Sequence, residues 1–160
     1  MCRHFLTLFD LTQKIETGLF FIELLTSKKM RVYLLCSDLM TSSRLTGDAK
    51  AVGATLTICH QEAKLHEALA ADLATADRPR EYDKEIVLVV DLAHLGLAID
   101  KLMEQLGELF TKAGTGRPTV IAFGPHVHTD RLEAAKEAGC HVLVRGQFLR
   151  QAGKLFAGKA

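Results

Sequence analysis

Asp91 ends the most apolar stretch of the chain, Ile86-Val87-Leu88-Val89-Val90, and its carboxylate is the first group placed to do chemistry. At a strand end it can cap the following turn or hold a charged ligand, and both readings stand at this point. A second group, Cys36-Ser37-Asp38, follows another apolar run. There Asp38 suits a helix N-cap, and Cys36 is either a reactive thiol or inert buried packing. The third is Gly124-Pro125-His126-Val127-His128, in which two histidines at i and i+2 can share a face. With His94, Asp91 and Cys36 on neighbouring loops they supply the nitrogen, oxygen and sulfur donors that zinc or another transition metal takes. Solvated or loop-bracing histidines are the simpler alternative. Arg145 completes the set as a cation able to pair with Asp91 across a crevice. No GxGxxG, P-loop, nucleophile elbow or HExxH occurs in the sequence, so conventional nucleotide and hydrolase sites lack support.

Positioning these groups requires strands ending where they begin, and the pattern supplies them. Strands are predicted over residues 31–36, 54–59, 85–91, 118–124 and 141–144. Helices are predicted over residues 40–52, 61–76, 97–113, 130–139 and 147–156, with Leu65, Leu69 and Leu73 four apart on one face. Asp130 with Glu133 three residues on forms a capping-box-like start for the fourth helix. Arg78-Pro79-Arg80 marks a loop. Five strands alternating with five helices predict a parallel sheet covered on both faces. The right-handed crossover rule favours a flavodoxin-like doubly wound three-layer α/β/α fold of strand order 2-1-3-4-5. In such a sheet Cys36, Ser37 and Asp38, Asp91 to Gly96, and Gly124 to His128 all gather at the carboxyl ends of the strands.

The chain has 160 residues, of which 48% are hydrophobic and 24% charged, so it is neither disordered nor built from several cores. With 20 Lys plus Arg against 19 Asp plus Glu and no basic run, nucleic acid is not an expected partner. Cys2, Cys36, Cys59 and Cys140 stand far apart with no CxxC, which fits a reducing cytosol and a cytoplasmic protein. Residues 1–29 read apart from the domain expected over 30–160. Leu8, Leu11, Ile15, Leu19, Ile22 and Leu25 recur at helical spacing, and Asp10, Lys14, Glu16 and Glu23 interrupt any membrane span. The segment is an amphipathic arm or an over-extended start, Met30 being the alternative first residue, and it is expected to be dispensable for folding.

Val87-Leu88-Val89-Val90-Asp91-Leu92 followed by Gly96 resembles the third strand of response-regulator receiver (CheY-like) domains, whose strand-end aspartate accepts phosphate from a histidine kinase. Asp130-Arg131-Leu132-Glu133-Ala134-Ala135-Lys136-Glu137-Ala138-Gly139-Cys140 is similar to the receiver's fourth helix and the turn after it. Val142-Leu143-Val144-Arg145-Gly146-Gln147-Phe148 stands where receivers carry an LxKPF stretch. The likeness covers residues 30 to about 157.

The departures decide what this resemblance implies. Receivers hold magnesium mainly by a carboxylate pair after strand one together with the acceptor. Here that pair is Cys36 and Ser37, with Asp38 one residue later, so only one carboxylate survives. The lysine becomes Arg145 and the proline after it Gly146. The hydroxyl that reports phosphorylation is replaced by Phe123 or Gly124, and the switch aromatic by Val142. The resemblance thus implies a degenerate, stand-alone receiver, non-enzymatic and phosphorylation-independent, with no required cofactor and magnesium at most a weak ligand. Its partner would be a kinase or downstream signalling protein on the helix four, strand five and helix five face, where Arg131 and Arg150 are expected to bind. A sensing domain built on Cys36, Asp91, His126 and His128, and a working Asp91 phosphoacceptor, are the alternatives.

Overall fold

The computed structural model describes residues 29–75 and 86–158. The expectations for residues 1–28, including the amphipathic arm, and for the Arg78-Pro79-Arg80 loop lie outside the described residues. Strands β1 (Arg31–Leu35), β2 (Thr55–Cys59), β3 (Ile86–Asp91), β4 (Thr119–Gly124) and β5 (His141–Val144) alternate with helices α1 (Leu39–Ala51), α2 (Glu62–Leu73), α3 (Ile99–Lys112), α4 (Thr129–Glu137) and α5 (Arg145–Phe156). All pairings are parallel and the sheet order is β2-β1-β3-β4-β5, the doubly wound order predicted.

The central strand shows why. All six residues of β3 are buried, as a strand covered on both faces demands. Ile86, Leu88 and Val90 pack with the cluster under α2, α3 and α4. Val87 and Val89 point the other way, into the cluster under α1 and α5. Strand alternation therefore puts the Asp91 side chain on the α1 and α5 side, and this placement builds the site.

All five helix starts fall within two residues of the sequence pattern, and two of the shifts bear on the site. Helix α5 begins at Arg145, directly after β5, instead of at residue 147. Val144 is extended, and with Gly146 in place of proline nothing delays the first turn. Helix α4 begins at Thr129, with His128 as an N-cap that makes no side-chain capping bond. Asp130 is therefore a first-turn residue, favourable to the helix dipole, and not the cap of a capping box. The backbone turn that sets this earlier start is closed by the His128 amide on the Pro125 carbonyl, at 3.1 Å. No helix among the described residues is long and apolar enough to cross a membrane.

Candidate functional site

Asp91 lies at the end of β3, in register with Phe123 of β4, and is only 2% exposed. A buried carboxylate is tolerated only when its oxygens are paired. Here both are. The amide of Ala93 donates to Oδ1 at 2.9 Å, so Asp91 caps its own turn. The Cys36 thiol lies 3.4 Å from Oδ2. Arg145 Nη2 stands 2.9 Å from Oδ2 and 3.2 Å from Oδ1, and this contact supplies the balancing charge.

Arg145 reaches that position because α5 starts at once: the first helical residue leaves the end of β5 pointing over the end of β3. Its Nη1 lies 3.6 Å from Asp38 Oδ2, so one guanidinium bridges the two carboxylates of the crevice. The guanidinium carbon of Arg145 sits 5.7 Å from the Phe123 ring centroid, within cation–π range. Phe123 in turn stacks on Phe148 of α5, with centroids 4.4 Å apart and planes 13° from parallel. The floor of the site is thus the aromatic part of the core.

Asp38 caps α1, accepting from the Met40 amide at 3.1 Å and from the Thr41 hydroxyl. The Thr41 hydroxyl first, and then the Met40 amide, holds its carboxyl below the usual carboxylate range, with a further contribution from Arg145. It is therefore an anion at neutral pH and committed to the helix end. The Cys36 thiol is fully buried, and burial together with the Asp91 charge pushes it up, although the Asp38 backbone opposes this. It remains a protonated donor to Asp91, not a reactive thiolate. Ser37 is exposed at the rim.

The described residues do not gather the candidate metal ligands at one point. His126 and His128 are exposed, and among the described residues no group of three or more His, Cys, Asp and Glu can hold a metal ion. His94 gives its amide to the Asp91 carbonyl at 3.0 Å, while its buried Nδ1 has no partner. Adjacent loops bring these histidines to one end of the sheet without turning them to a common point. A magnesium ion of the receiver kind fits no better. Cys36 and Ser37 offer no carboxylate, and the guanidinium of Arg145 already lies against both Asp91 and Asp38.

Two contacts had no signal in the sequence pattern. Arg131 of α4, expected on a partner face, donates to the Leu92 carbonyl at 2.6 Å and reaches the His94 carbonyl at 3.5 Å. It clamps the loop after Asp91. His60 Nδ1 lies 2.9 Å from the Cys36 carbonyl, bracing the end of β1 from β2. Both depend on where a neighbouring strand stops, which spacing along one element does not reveal.

Phe123 and Gly124 also separate. Phe123 lies on the Asp91 side of the sheet, in the cluster under α1 and α5. A Cβ added to Gly124 would lie 3.2 Å from Leu92 Cβ, in contact with the buried side chain beneath it. Gly124→Thr is therefore expected to destabilise the domain by about 1–3 kcal/mol, as overpacking does. Urea unfolding measures this, and an unchanged midpoint would mean that Leu92 moves aside freely.

Neither a protein-family model nor a curated protein matches the chain. Solved structures do. The co-crystal structure of the Saccharomyces cerevisiae histidine phosphotransfer signaling protein Ypd1 and the receiver domain of its downstream response regulator Ssk1 matches at 11% identity. It covers 80% of this chain and 86% of the matched one, with a TM-score of 0.61. The chemotaxis response regulator CheY4 of Vibrio cholerae matches at 10% identity over 82% of this chain and 99% of its own, with a TM-score of 0.55. This chain has the receiver-domain fold. A response regulator from Thermotoga maritima, 13% identical over 81% of this chain and 98% of its own at a TM-score of 0.57, shares it. Within the receiver fold, Asp91 occupies the end of the third strand, where the sequence resemblance put the phosphoacceptor.

Proposed function

We propose that this chain is a pseudo-receiver, a signalling module that docks a protein partner without being phosphorylated. The observation that carries the proposal is the Arg145 guanidinium held against both Asp91 and Asp38. Receiver phosphorylation needs a divalent cation beside the acceptor and a free carboxylate oxygen to attack phosphorus. In this crevice the cation is covalently part of the protein, and each Asp91 oxygen already accepts from it. Phe123 fills the side of β4 that faces Asp91, so β4 offers no hydroxyl there to register a phosphoryl group. A switch requires that its modification interact differently with two states, and these substitutions remove the groups that would make that difference.

The domain then offers one conformation permanently. Its partner is a kinase or a downstream signalling protein bound through α4, β5 and α5, where Arg131 and Arg150 are exposed, Arg131 also reaching the loop after Asp91. Ypd1 with the Ssk1 receiver is an assembly of that general kind. The reading is of a binding module and not an enzyme, in a reducing cytoplasm, consistent with free thiols at Cys36, Cys59 and Cys140.

The test is incubation with magnesium and acetyl phosphate or beryllofluoride, read by intact mass and by amide NMR spectra. The expected result is no stoichiometric modification, and spectra of the wild type and Asp91→Asn that respond identically. Asp91-dependent modification with shifts spreading into β4 and β5 would establish a working phosphoacceptor and sink the proposal.

A further inference from the structure

The two edges of the sheet are β2 and β5. Edge strands expose unpaired backbone groups, which proteins usually guard with charged side chains, proline or a bulge. Strand β2 has none of these. Its sequence, Thr55-Leu56-Thr57-Ile58-Cys59, is rich in strand formers and holds neither charge nor proline. Its register with β1 runs residue for residue from Arg31↔Thr55 to Leu35↔Cys59, so there is no bulge. Ile58 is 36% exposed, a β-branched apolar side chain left at the rim. An open recess of about 610 Å³ flanks this edge, lined by Thr57, Ile58 and Cys59 of the strand and by Lys64, Glu67 and Ala68 of α2.

The backbone bonds decide which groups face outward. The Thr55 amide donates to the Met30 carbonyl at 2.9 Å, and the Cys36 amide donates to the Cys59 carbonyl at 3.1 Å. Each residue of a parallel strand aims its N–H and C=O to one side, and successive residues alternate. Thr55, Thr57 and Cys59 therefore serve β1, and the N–H and C=O of Leu56 and Ile58 point away from the sheet. Among the described residues these four groups have no partner. The side chains alternate as well. Leu56 packs on the cluster under α1 and α5, so Ile58 shares that side, whereas Thr57 shares the α2 side with buried Cys59.

This pattern is complementary to itself. When two copies lie antiparallel about a two-fold axis at Thr57, Leu56 of each faces Ile58 of the other. The four outward groups of one copy then meet the four of the other in four hydrogen bonds. On the α1 side the same residues make two apolar cross-strand pairs, which stabilise paired strands. On the α2 side Thr57 meets its own counterpart in the closer, non-hydrogen-bonded kind of pair, with about 4.5 Å between Cα atoms. Helix α2 sets no like charge against the contact, because Lys64 and Glu67 at the recess pair with each other at 2.7 Å.

We propose that the chain forms a two-fold dimer by joining β2 to β2 of a second copy, which extends the sheet from five strands to ten. The contact is isologous, so it closes at two copies. Strand β5 stays at each far end of the joined sheet, so the dimer presents two α4, β5 and α5 faces. The inference depends neither on the partner bound there nor on phosphorylation of Asp91.

Sedimentation velocity of the full chain over a concentration series tests it, with monomer and dimer the only species expected. Ile58→Lys places a charge on the edge and should weaken dimerisation by about tenfold or more. Thr57→Lys and Thr57→Glu should each abolish it, since each brings two like charges directly opposite. An equimolar mixture of the two should dimerise again, because lysine then faces glutamate. Circular dichroism and the thermal-unfolding midpoint establish that each variant is folded. Thr57→Cys should form an intersubunit disulfide under mild oxidation that the wild type does not, since its counterpart lies within disulfide reach. A chain that stays monomeric at every concentration, growth beyond the dimer, or a folded Ile58→Lys that dimerises like the wild type would overturn the proposal. So would a mixture of folded Thr57→Lys and Thr57→Glu that stays monomeric, or a Thr57→Cys that crosslinks no faster than the wild type.

Discussion

Arg145→Ala is expected to lower the stability of the domain by about 2–4 kcal/mol at pH 7, the largest effect of any single surface-reaching side chain in the site. Removing one partner of a buried ion pair costs about 3–5 kcal/mol, because the other charge stays buried and uncompensated. Asp91 is that residual charge: 2% exposed, and left with the Ala93 amide and the Cys36 thiol alone. The figure is set below the full range because the Arg145 side chain is 31% exposed, so water can enter part of the vacated space. Asp91→Asn is expected to cost much less, since the amide keeps acceptor capacity and Arg145 keeps Asp38 and solvent. The discriminating measurement is a double-mutant cycle by urea unfolding. Adding Asp91→Asn to Arg145→Ala should recover most of the lost stability, because the buried charge is then gone. Equal, small losses for all three variants would show that the guanidinium merely rests on the rim, and the built-in cation would lose its support.

This pair also shows how far the residues alone could lead. The apolar run ending in Asp91 placed β3 at the centre, and strand alternation made Asp91 and Val89 share a face. The crossover rule then supplied the sheet order, because with parallel strands and helices on both faces few topologies remain. The Asp91 to Arg145 contact was open as one alternative, since both residues end up at carboxyl ends of strands. Its geometry was not legible, because it depends on α5 starting at Arg145 and not two residues later. The histidines mark the opposite case. His94, His126 and His128 do lie at one end of the sheet, but loop neighbours share a location without sharing a direction. Arg131 shows a related gap. Its place on α4 was readable, whereas the carbonyls it serves belong to a loop from another strand.

Phe123→Ala is expected to cost about 3–5 kcal/mol, in line with other buried phenylalanine truncations. Phe123 is fully buried, and its ring touches two things that define the site: the stacked ring of Phe148 and the guanidinium of Arg145. Truncation opens a cavity between β4 and α5 and removes the surface on which the guanidinium rests. Phe148→Ala should cost a similar amount, since that ring is also fully buried. If the stack is an energetic unit, the double variant should lose about 0.5–1.5 kcal/mol less than the sum of the two singles. Phe123→Leu separates packing from ring chemistry. It keeps most of the apolar volume but offers Arg145 no quadrupole, so it should be milder than alanine while still weakening the Arg145 to Asp91 coupling measured by the cycle above. Strict additivity of Phe123→Ala and Phe148→Ala would mean the rings are only neighbours. A Phe123→Leu variant with unchanged Arg145 to Asp91 coupling would mean that the helix start alone, and not the aromatic floor, positions the arginine.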